Sequence, residues 1–369
     1  MNFTTDKETL LNKLKITEKT TLQRGIQPVL ANILFETENN QINLTATDLD
    51  LTVKTSMPAV VKEEGKITLP AKKLVEIVSK LPDKPVDFSL DAERGIMTLK
   101  CGNSKFDVIG ISADEFPDVN VDEDIVFTEL ESKVLVKAVK NTVYAAAGYE
   151  NKNIISGVFC AIEDGRLEMA ATDGNRLARC SESVIDDADT AFRAVIPSKT
   201  LNEILRVNSI LNEEKIAIGT KGAKIVFKSK GFTIGSNVLT GEYPAYKQLI
   251  PPSCETTALV ANTDFRTAIE RVSCMANERT DTIKLSFFNN KLTMKSESPD
   301  AGASEEVVPV KYDGDEFLIA FNYRYIYDFL KITDAETIKI DLTGSLSATI
   351  FRPDTDEDML CLIMPVSMS

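Results

Sequence analysis

Asp48-Leu49-Asp50 is where this sequence comes nearest to a catalytic signature. Two carboxylates one residue apart form the D-x-D by which a glycosyl or phosphoryl transferase can hold a divalent cation. Nothing completes such a site. No Gly-rich phosphate loop of the P-loop or dinucleotide type occurs. The chain also has no histidine, so the commonest general base and the commonest metal ligand are both missing. Acid pairs could still move protons, but nothing singles out one pair among 56 Asp and Glu. The six cysteines (Cys101, Cys160, Cys180, Cys254, Cys274 and Cys361) are scattered, with no C-x-x-C pair. That pattern suits buried free thiols in a reducing compartment rather than zinc or redox chemistry. Metal-dependent turnover by the purified chain is the observation that would revive an enzyme.

The elements that must position Asp48 show that it belongs to a repeat. The chain reads as three divergent copies of a unit about 120 to 130 residues long. Each copy opens with a strand-like start and an amphipathic helix: Phe3-Thr4-Thr5 before DKETLLNKLK, Phe127-Thr128 before ELESKVLVKAVKNTVYAAA, and Ala258-Leu259-Val260 before NTDFRTAIERVSCMA. A strand then runs into a polar bend, at residues 42 to 56, 166 to 181 and, more weakly, 291 to 306; Thr47-Asp48 and Thr172-Asp173 fall at equivalent places. Next, a short strand meets a second helix (67 to 81, 194 to 208, 317 to 331), with Pro70 and Pro197 at the strand-to-helix step, where a missing N–H is tolerated. Hairpins with turns at Arg94-Gly95, Lys221-Gly222 and Gly344-Ser345 close the copies. Two helices and many short strands per copy predict an α+β domain, its helices covering one face of antiparallel sheet. The expected boundaries are 1–120, 121–252 and 253–369, with Glu115-Phe116-Pro117-Asp118 and Glu242-Tyr243-Pro244-Ala245 as matching connectors. Three such domains suit 369 residues, more than one hydrophobic core usually covers.

Apolar residues at 43% and charged residues at 27% are ordinary for a globular protein. No apolar run approaches the roughly 20 residues needed to span a bilayer, and the first residues carry no basic-then-apolar leader. A cytoplasmic protein with no membrane partner is expected. The net charge of −14 argues at first against nucleic acid, but its distribution matters more than its total. Six helix segments, residues 6–16, 71–80, 129–147, 198–209, 263–276 and 322–331, hold 15 Lys and Arg against 9 Asp and Glu; the rest holds 27 against 47. Lys and Arg favour helices in any case. The surplus nevertheless recurs, with Lys72, Lys73 and Lys80 in copy one and Lys137, Lys140, Lys199 and Arg206 in copy two. A positive helical surface without base-reading motifs suits phosphate contact indifferent to sequence, and an acidic exterior suppresses binding elsewhere.

Along its whole length the sequence resembles the bacterial DNA polymerase III beta-subunit family, the sliding clamps. The resemblance is carried by the opening F-T-x-x-x-x-x-L-L, by Leu44-Thr45-Ala46-Thr47-Asp48-Leu49, by Ala171-Thr172-Asp173-Gly174-Asn175-Arg176-Leu177-Ala178, by Glu242-Tyr243-Pro244-Ala245-Tyr246 and by the ending Leu362-Ile363-Met364-Pro365. It implies three tandem DNA-clamp domains, antiparallel sheets outside and two helices per domain facing a pore, closing into a six-domain ring as a head-to-tail homodimer. Phe106 and Val108 on one side, and Cys274 and Met275 on the other, occupy the family's dimer-contact positions. The implied activity is non-catalytic and needs no cofactor: the ring encircles double-stranded DNA topologically, without sequence preference, and makes the replicative polymerase processive.

The resemblance also implies a partner-peptide cleft between the second and third domains. It would receive the clamp loader complex, the replicative DNA polymerase alpha subunit, and other DNA polymerases and repair proteins. Carried over position by position, its lining is Ile155, Thr172, Gly174, Asn175, Arg176, Leu177, Pro244, Gln248, Leu249, Asn322, Tyr325, Leu362, Ile363, Met364 and Pro365. Aliphatic walls and a flexible Met suit varied partners, with Arg176 and Asn322 facing a peptide backbone or carboxylate. Asn175 stands where many members have His, and Gln248 where many have Arg; these changes bear on motif preference. Arg24 and Lys152 fall in loops matching the family's DNA-contacting loops. Asp173 is expected to hold its turn by bonding its own backbone. After the transferase, the second rival is a protein-interaction scaffold of repeats with no DNA in its pore.

Overall fold

The computed structural model describes residues 1–22, 27–119, 121, 125–148, 153–184 and 192–367. It divides into two compact units: Met1–Ser132 with Asn202–Val238, and Lys133–Leu201 with Leu239–Ser369. Among the described residues there are six α-helices: α1 (Lys7–Glu18), α2 (Ala71–Lys80), α3 (Ser132–Val143), α4 (Ser198–Leu211), α5 (Asn262–Val272) and α6 (Tyr323–Ile332). They fall where the repeat places them. Asp6 caps α1 by accepting a hydrogen bond from the Thr9 N–H at 2.8 Å, satisfying one of the donors a helix start leaves open. Pro70 and Pro197 do end strands at the starts of α2 and α4.

In the first unit a five-stranded sheet runs Val60–Glu63, Asn2–Thr5, Val86–Asp91, Ile96–Cys101, Ser104–Ile109 in spatial order. An eight-stranded sheet runs Phe127–Glu131, Lys215–Lys221, Lys224–Lys228, Thr233–Asn237, Leu51–Pro58, Gln41–Thr47, Asn32–Glu38, Gly65–Pro70. One core joins Leu10 and Leu14 of α1, Leu74 and Val78 of α2, and residues of both sheets such as Phe3, Phe35, Phe88 and Leu99. Phe3 and Phe88 stack with ring centres 4.6 Å apart. The spacing 10, 14 and 74, 78 explains the burial, since residues four apart share a helix face. Truncating a leucine such as Leu14, fully buried, to alanine costs about 2–5 kcal/mol by the usual cavity effect.

The second unit has a twelve-stranded sheet in the order Phe192–Pro197, Gly157–Glu163, Arg166–Thr172, Arg176–Ser183, Met359–Ile363, Thr349–Pro353, Thr337–Leu342, Thr256–Ala261, Gly302–Tyr312, Lys291–Ser298, Thr282–Phe288, Phe317–Asn322. Its main core gathers Phe265, Ile269 and Val272 of α5, Ile326, Phe329 and Leu330 of α6, and strand residues including Phe321, Phe351 and Ile363. All the described pairings in the three sheets are antiparallel, with two helices per copy. The α+β class expected from the repeat is therefore the class found.

Two junctions between copies are strand pairings. Leu51–Pro58 of copy one pairs with Thr233–Asn237 of copy two, Val53 opposite Ile234. Arg176–Ser183 of copy two pairs with Met359–Ile363 of copy three, Leu177 opposite Leu362. In each case the strand after the polar bend of one copy meets the last strand of the next.

The predicted turns at Arg94-Gly95 and Lys221-Gly222 are present, with Gly95 and Gly222 at φ +64° and +59°. A second set went unread in the sequence. Asn39-Asn40, Asp164-Gly165 and Asn289-Asn290 all take positive φ at both residues, which closes two-residue hairpins at matching places in the three copies.

Candidate partner-binding cleft and DNA-facing residues

The predicted cleft is built on the junction between Arg176–Ser183 and Met359–Ile363. Its rim is the turn before the first of these strands. The Asp173 carboxylate accepts hydrogen bonds from the backbone N–H of Asn175 at 2.9 Å and of Arg176 at 3.0 Å. The Thr172 hydroxyl donates to the Arg176 carbonyl at 2.7 Å and accepts from the Gly174 N–H at 3.1 Å. Gly174 sits at φ +93°, a conformation that favours glycine. The Met364 N–H donates to the Asn175 carbonyl at 2.9 Å, so the rim and the chain's last strand are laced together. Asp173 thus holds the turn, as expected.

Leu177 and Leu362, side by side on adjacent strands, form one buried apolar cluster with Ala170, Tyr246, Ile350 and Leu360. Met364 is 43% exposed, and Leu249, at the end of the short turn Tyr246–Leu249, is 55% exposed; both are large apolar groups presented to solvent. Pro244 and Gln248 are exposed and also line a groove of about 510 Å³ with Phe159, Glu168 and Arg193. Ile155 lies half-buried in the short turn Ile154–Ser156. Pro365 is half-buried at the strand's exit.

Ile363, carried over to the same lining, is fully buried in the main core, on the face of its strand opposite Leu362, because successive strand side chains alternate between faces. Val108, expected at the dimer contact, is likewise packed in the first unit's core, whereas Phe106 is 38% exposed on the same strand. Cys274 is exposed and Met275 half-buried in the turn Ser273–Met275 that follows α5.

Arg176 is engaged far more fully than its motif suggested. Its side chain is 10% exposed, and Nε donates to Asp173 at 3.0 Å, Nη1 to Asp328 at 2.7 Å and Nη2 to the Tyr144 carbonyl at 2.7 Å. The guanidinium also lies over the rings of Tyr325, at 4.7 Å, and Tyr144, at 5.4 Å. Burial pulls its pKa down, but Asp328 and Asp173 outweigh burial and hold the proton more tightly than usual. Arg176 therefore fixes the rim to α6, and Tyr325 is its stacking platform. Asn322 caps the same helix, its Oδ1 accepting the Arg324 N–H at 2.9 Å. Asp328, 152 residues away, carried no signal in the sequence.

Asp48 repeats the role of Asp173. Its Oδ1 accepts the backbone N–H of Asp50 at 3.1 Å and of Leu51 at 2.8 Å, so the D-x-D pair serves a turn.

Of the basic residues, Lys72, Lys140 and Lys199 are exposed on α2, α3 and α4. Lys73 and Lys80 are exposed too, and both bond Glu76, at 2.8 and 3.1 Å. Lys137 bonds Glu182 at 2.7 Å and Asp356 at 3.2 Å, and these acids hold its proton more firmly than burial loosens it. Arg206 donates to Glu203 and to the carbonyls of Lys15 and Ile16 at the end of α1, which is structural work. Arg24 and Lys152 lie outside the described residues.

Set against known proteins, the repeat and its junctions define the class: a DNA clamp of three tandem domains. The sequence profile of the DNA polymerase III beta subunit matches in three parts, the N-terminal domain over residues 1–121, the central domain over 129–245 and the C-terminal domain over 247–367. The beta sliding clamp of Synechococcus elongatus is 33% identical over 97% of both chains. A solved DNA polymerase sliding clamp of Bacillus subtilis superposes with a TM-score of 0.93 at 28% identity, covering 100% of both chains. A sliding clamp of Pseudomonas aeruginosa solved bound to griselimycin gives 0.93 at 27%, with the same coverage. The chain belongs to the DNA polymerase III beta-subunit family.

Proposed function

We propose that this chain is the sliding clamp of a replicative DNA polymerase. Two copies join head to tail in a ring around duplex DNA, and the ring tethers partners rather than performing a reaction. The domains of the ring would run 1–120, 121–252 and 253–369, a division supported by the limits of the three profile matches.

The observation that carries the closed ring is the repeated junction. Copy one meets copy two, and copy two meets copy three, through one kind of strand pair. The third pair of that kind would join the strand after copy three's bend, Gly302–Tyr312, to the last strand of copy one, Ser104–Ile109. Among the described residues, Ser104–Ile109 pairs only with Ile96–Cys101, and residues 302–309 pair only with Lys291–Ser298. Each is an edge with unpaired backbone groups, and exposed Phe106 and Val307 lie on these edges. Pairing each with a second copy satisfies both edges and closes a head-to-tail assembly.

The twelve helices of a ring built this way, six from each copy, carry the Lys and Arg surplus, which supports a pore for DNA. Phosphate contact of that kind needs charge and no particular base, and no single lysine is indispensable when topology holds the ring in place. Reversing Lys72, Lys73, Lys140 and Lys199 together to Glu tests this. The DNA length synthesised per polymerase binding event should fall sharply in the variant, whereas a scaffold with no DNA in its pore would tolerate the change.

The cleft floored by Leu177 and Leu362 and fronted by Met364 is where clamp loader, replicative polymerase, other polymerases and repair proteins would dock. Met364→Ala is expected to weaken partner-peptide binding by about 1–2 kcal/mol, the usual loss for an apolar anchor, without altering the dimer. Fluorescence polarisation with a labelled partner peptide measures the first, sedimentation the second; unchanged affinity would place the anchor elsewhere. The proposed site of action is the bacterial cytoplasm, and no described helix is long and apolar enough to cross a membrane.

Thiol reactivity reports on the dimer. Cys160, Cys180 and Cys361 are buried, which pushes each thiol up to about 12, so they should react slowly with Ellman's reagent in the folded protein. Cys254 and Cys274 are exposed. Cys254 should react rapidly at any protein concentration, and Cys274 only in protein dilute enough to be monomeric. Equal reactivity of Cys274 at all concentrations would remove it from the dimer contact.

A further inference from the structure

The turn that rims the partner cleft has a twin. At Thr47–Leu51 the Thr47 hydroxyl donates to the Leu51 carbonyl at 3.0 Å and accepts the Leu49 N–H at 3.0 Å, while Asp48 accepts from Asp50 and Leu51. These bonds match, atom for atom, those of Thr172, Asp173, Gly174, Asn175 and Arg176. The lacing bond recurs as well: the Asn237 N–H donates to the Asp50 carbonyl at 3.4 Å, where Met364 donates to Asn175. Counting along the repeat, Pro117 takes the place of Pro244 and Val121 that of Gln248. These residues of the first unit line a groove of about 210 Å³.

Leu49 supplies an independent observation. It stands where copy two has Gly174, it sits at φ +78°, and it is 54% exposed. A bulky side chain in the left-handed region is strained, and a leucine more than half exposed returns little of that cost through burial. Contact with a ligand would account for it.

We propose that this groove is a second peptide-docking site, taking an extended segment with one aliphatic residue flanked by Lys or Arg. The aliphatic residue packs beside Leu49 and Val121. The charged lining is Asp50 and Asp118 against Lys224, which favours a basic flank. The groove is smaller than the roughly 300 Å³ at which small-molecule pockets begin, so it holds one anchor side chain rather than several. Val121 already covers part of the floor, lying against Gly235, where a Cβ would stand 2.0 Å from its Cγ1. The inference rests on the peptide-docking assignment of the cleft around Met364.

The test uses the full-length protein and a fluorescein-labelled peptide of sequence GSKLKSG at low salt, followed by fluorescence polarisation. Saturable binding is expected below about 1 mM, with Asp118→Lys and Leu49→Gly each weakening it about fivefold or more. Leu49→Gly should do so without lowering Tm, since glycine adopts the same φ freely, which separates lost contact from lost fold. Met364→Ala should leave this peptide's affinity unchanged. No saturable binding, or binding indifferent to both groove substitutions, would overturn the second site. Binding lost only in Met364→Ala would also overturn it while upholding the cleft around Met364; failure of that cleft would show separately, as partner peptides indifferent to Met364→Ala.

Discussion

Arg176→Ala is expected to cost the second unit about 3–5 kcal/mol, the usual loss when one partner of a buried ion pair is removed. For a unit of this size the melting temperature should fall by roughly 10 °C. Removal of the guanidinium takes away three charge-assisted hydrogen bonds and two ring contacts at once. It also strands Asp173, whose side chain is 16% exposed, without its cation. The rim turn would survive in part, because Asp173 still accepts two backbone N–H groups. Arg176→Lys should recover roughly half the loss, since an ammonium can bond one carboxylate but cannot fork between two or stack on Tyr325. Differential scanning calorimetry checks both variants. A shift within about 1 °C for Arg176→Ala would mean that the network contributes nothing net, as many surface ion pairs do.

The second large effect concerns ring closure. At the observed junctions Lys54 lies opposite Thr233 and Arg179 opposite Leu360. Counting equivalent positions through the repeat puts Glu305 of one copy opposite Lys105 of its partner, an attractive pair. Directly opposed residues in antiparallel strands have Cα atoms about 4.5–5.5 Å apart, which is within disulfide reach. Combining Lys105→Cys with Glu305→Cys should therefore give, on mild oxidation, a covalent dimer on a non-reducing gel. Each single variant and the parent chain should stay at the mass of one chain, even with Cys254 and Cys274 exposed. The oxidised ring should resist loading onto DNA until a reductant opens it. Absence of the covalent dimer, or its equal formation in the parent, would contradict the register.

What the sequence made legible followed from its threefold repeat. The equivalence of Thr47-Asp48 and Thr172-Asp173 was visible in the residues, and both turns are built from the same bonds. Pro70 and Pro197 marked helix starts because proline is restrained locally, without help from the rest of the fold. Features set by long-range contact were not legible. Ile363 was carried over to the cleft from its position in the family, and a run such as LCLIMP shows no parity of its own until its partner strand fixes which face is buried. The engagement of Arg176 by Asp328, and of Arg206 by the carbonyls of α1, joins residues 152 and 190 or more positions apart. Leu49 looked like the middle of a D-x-D, and only the backbone shows it held at positive φ. The Asn39-Asn40 and Asn289-Asn290 hairpins carried a local signal in their paired asparagines, and it went unread.

The central claim is topological, and retention on DNA tests it most directly. The protein is loaded onto a nicked circle by a cognate clamp loader and ATP, and the fraction bound is followed before and after a restriction enzyme linearises the circle. A ring should stay on the circle and slide off the ends once they exist. Equal retention on circle and linear DNA after successful loading would mean binding by surface contact, and would contradict a clamp.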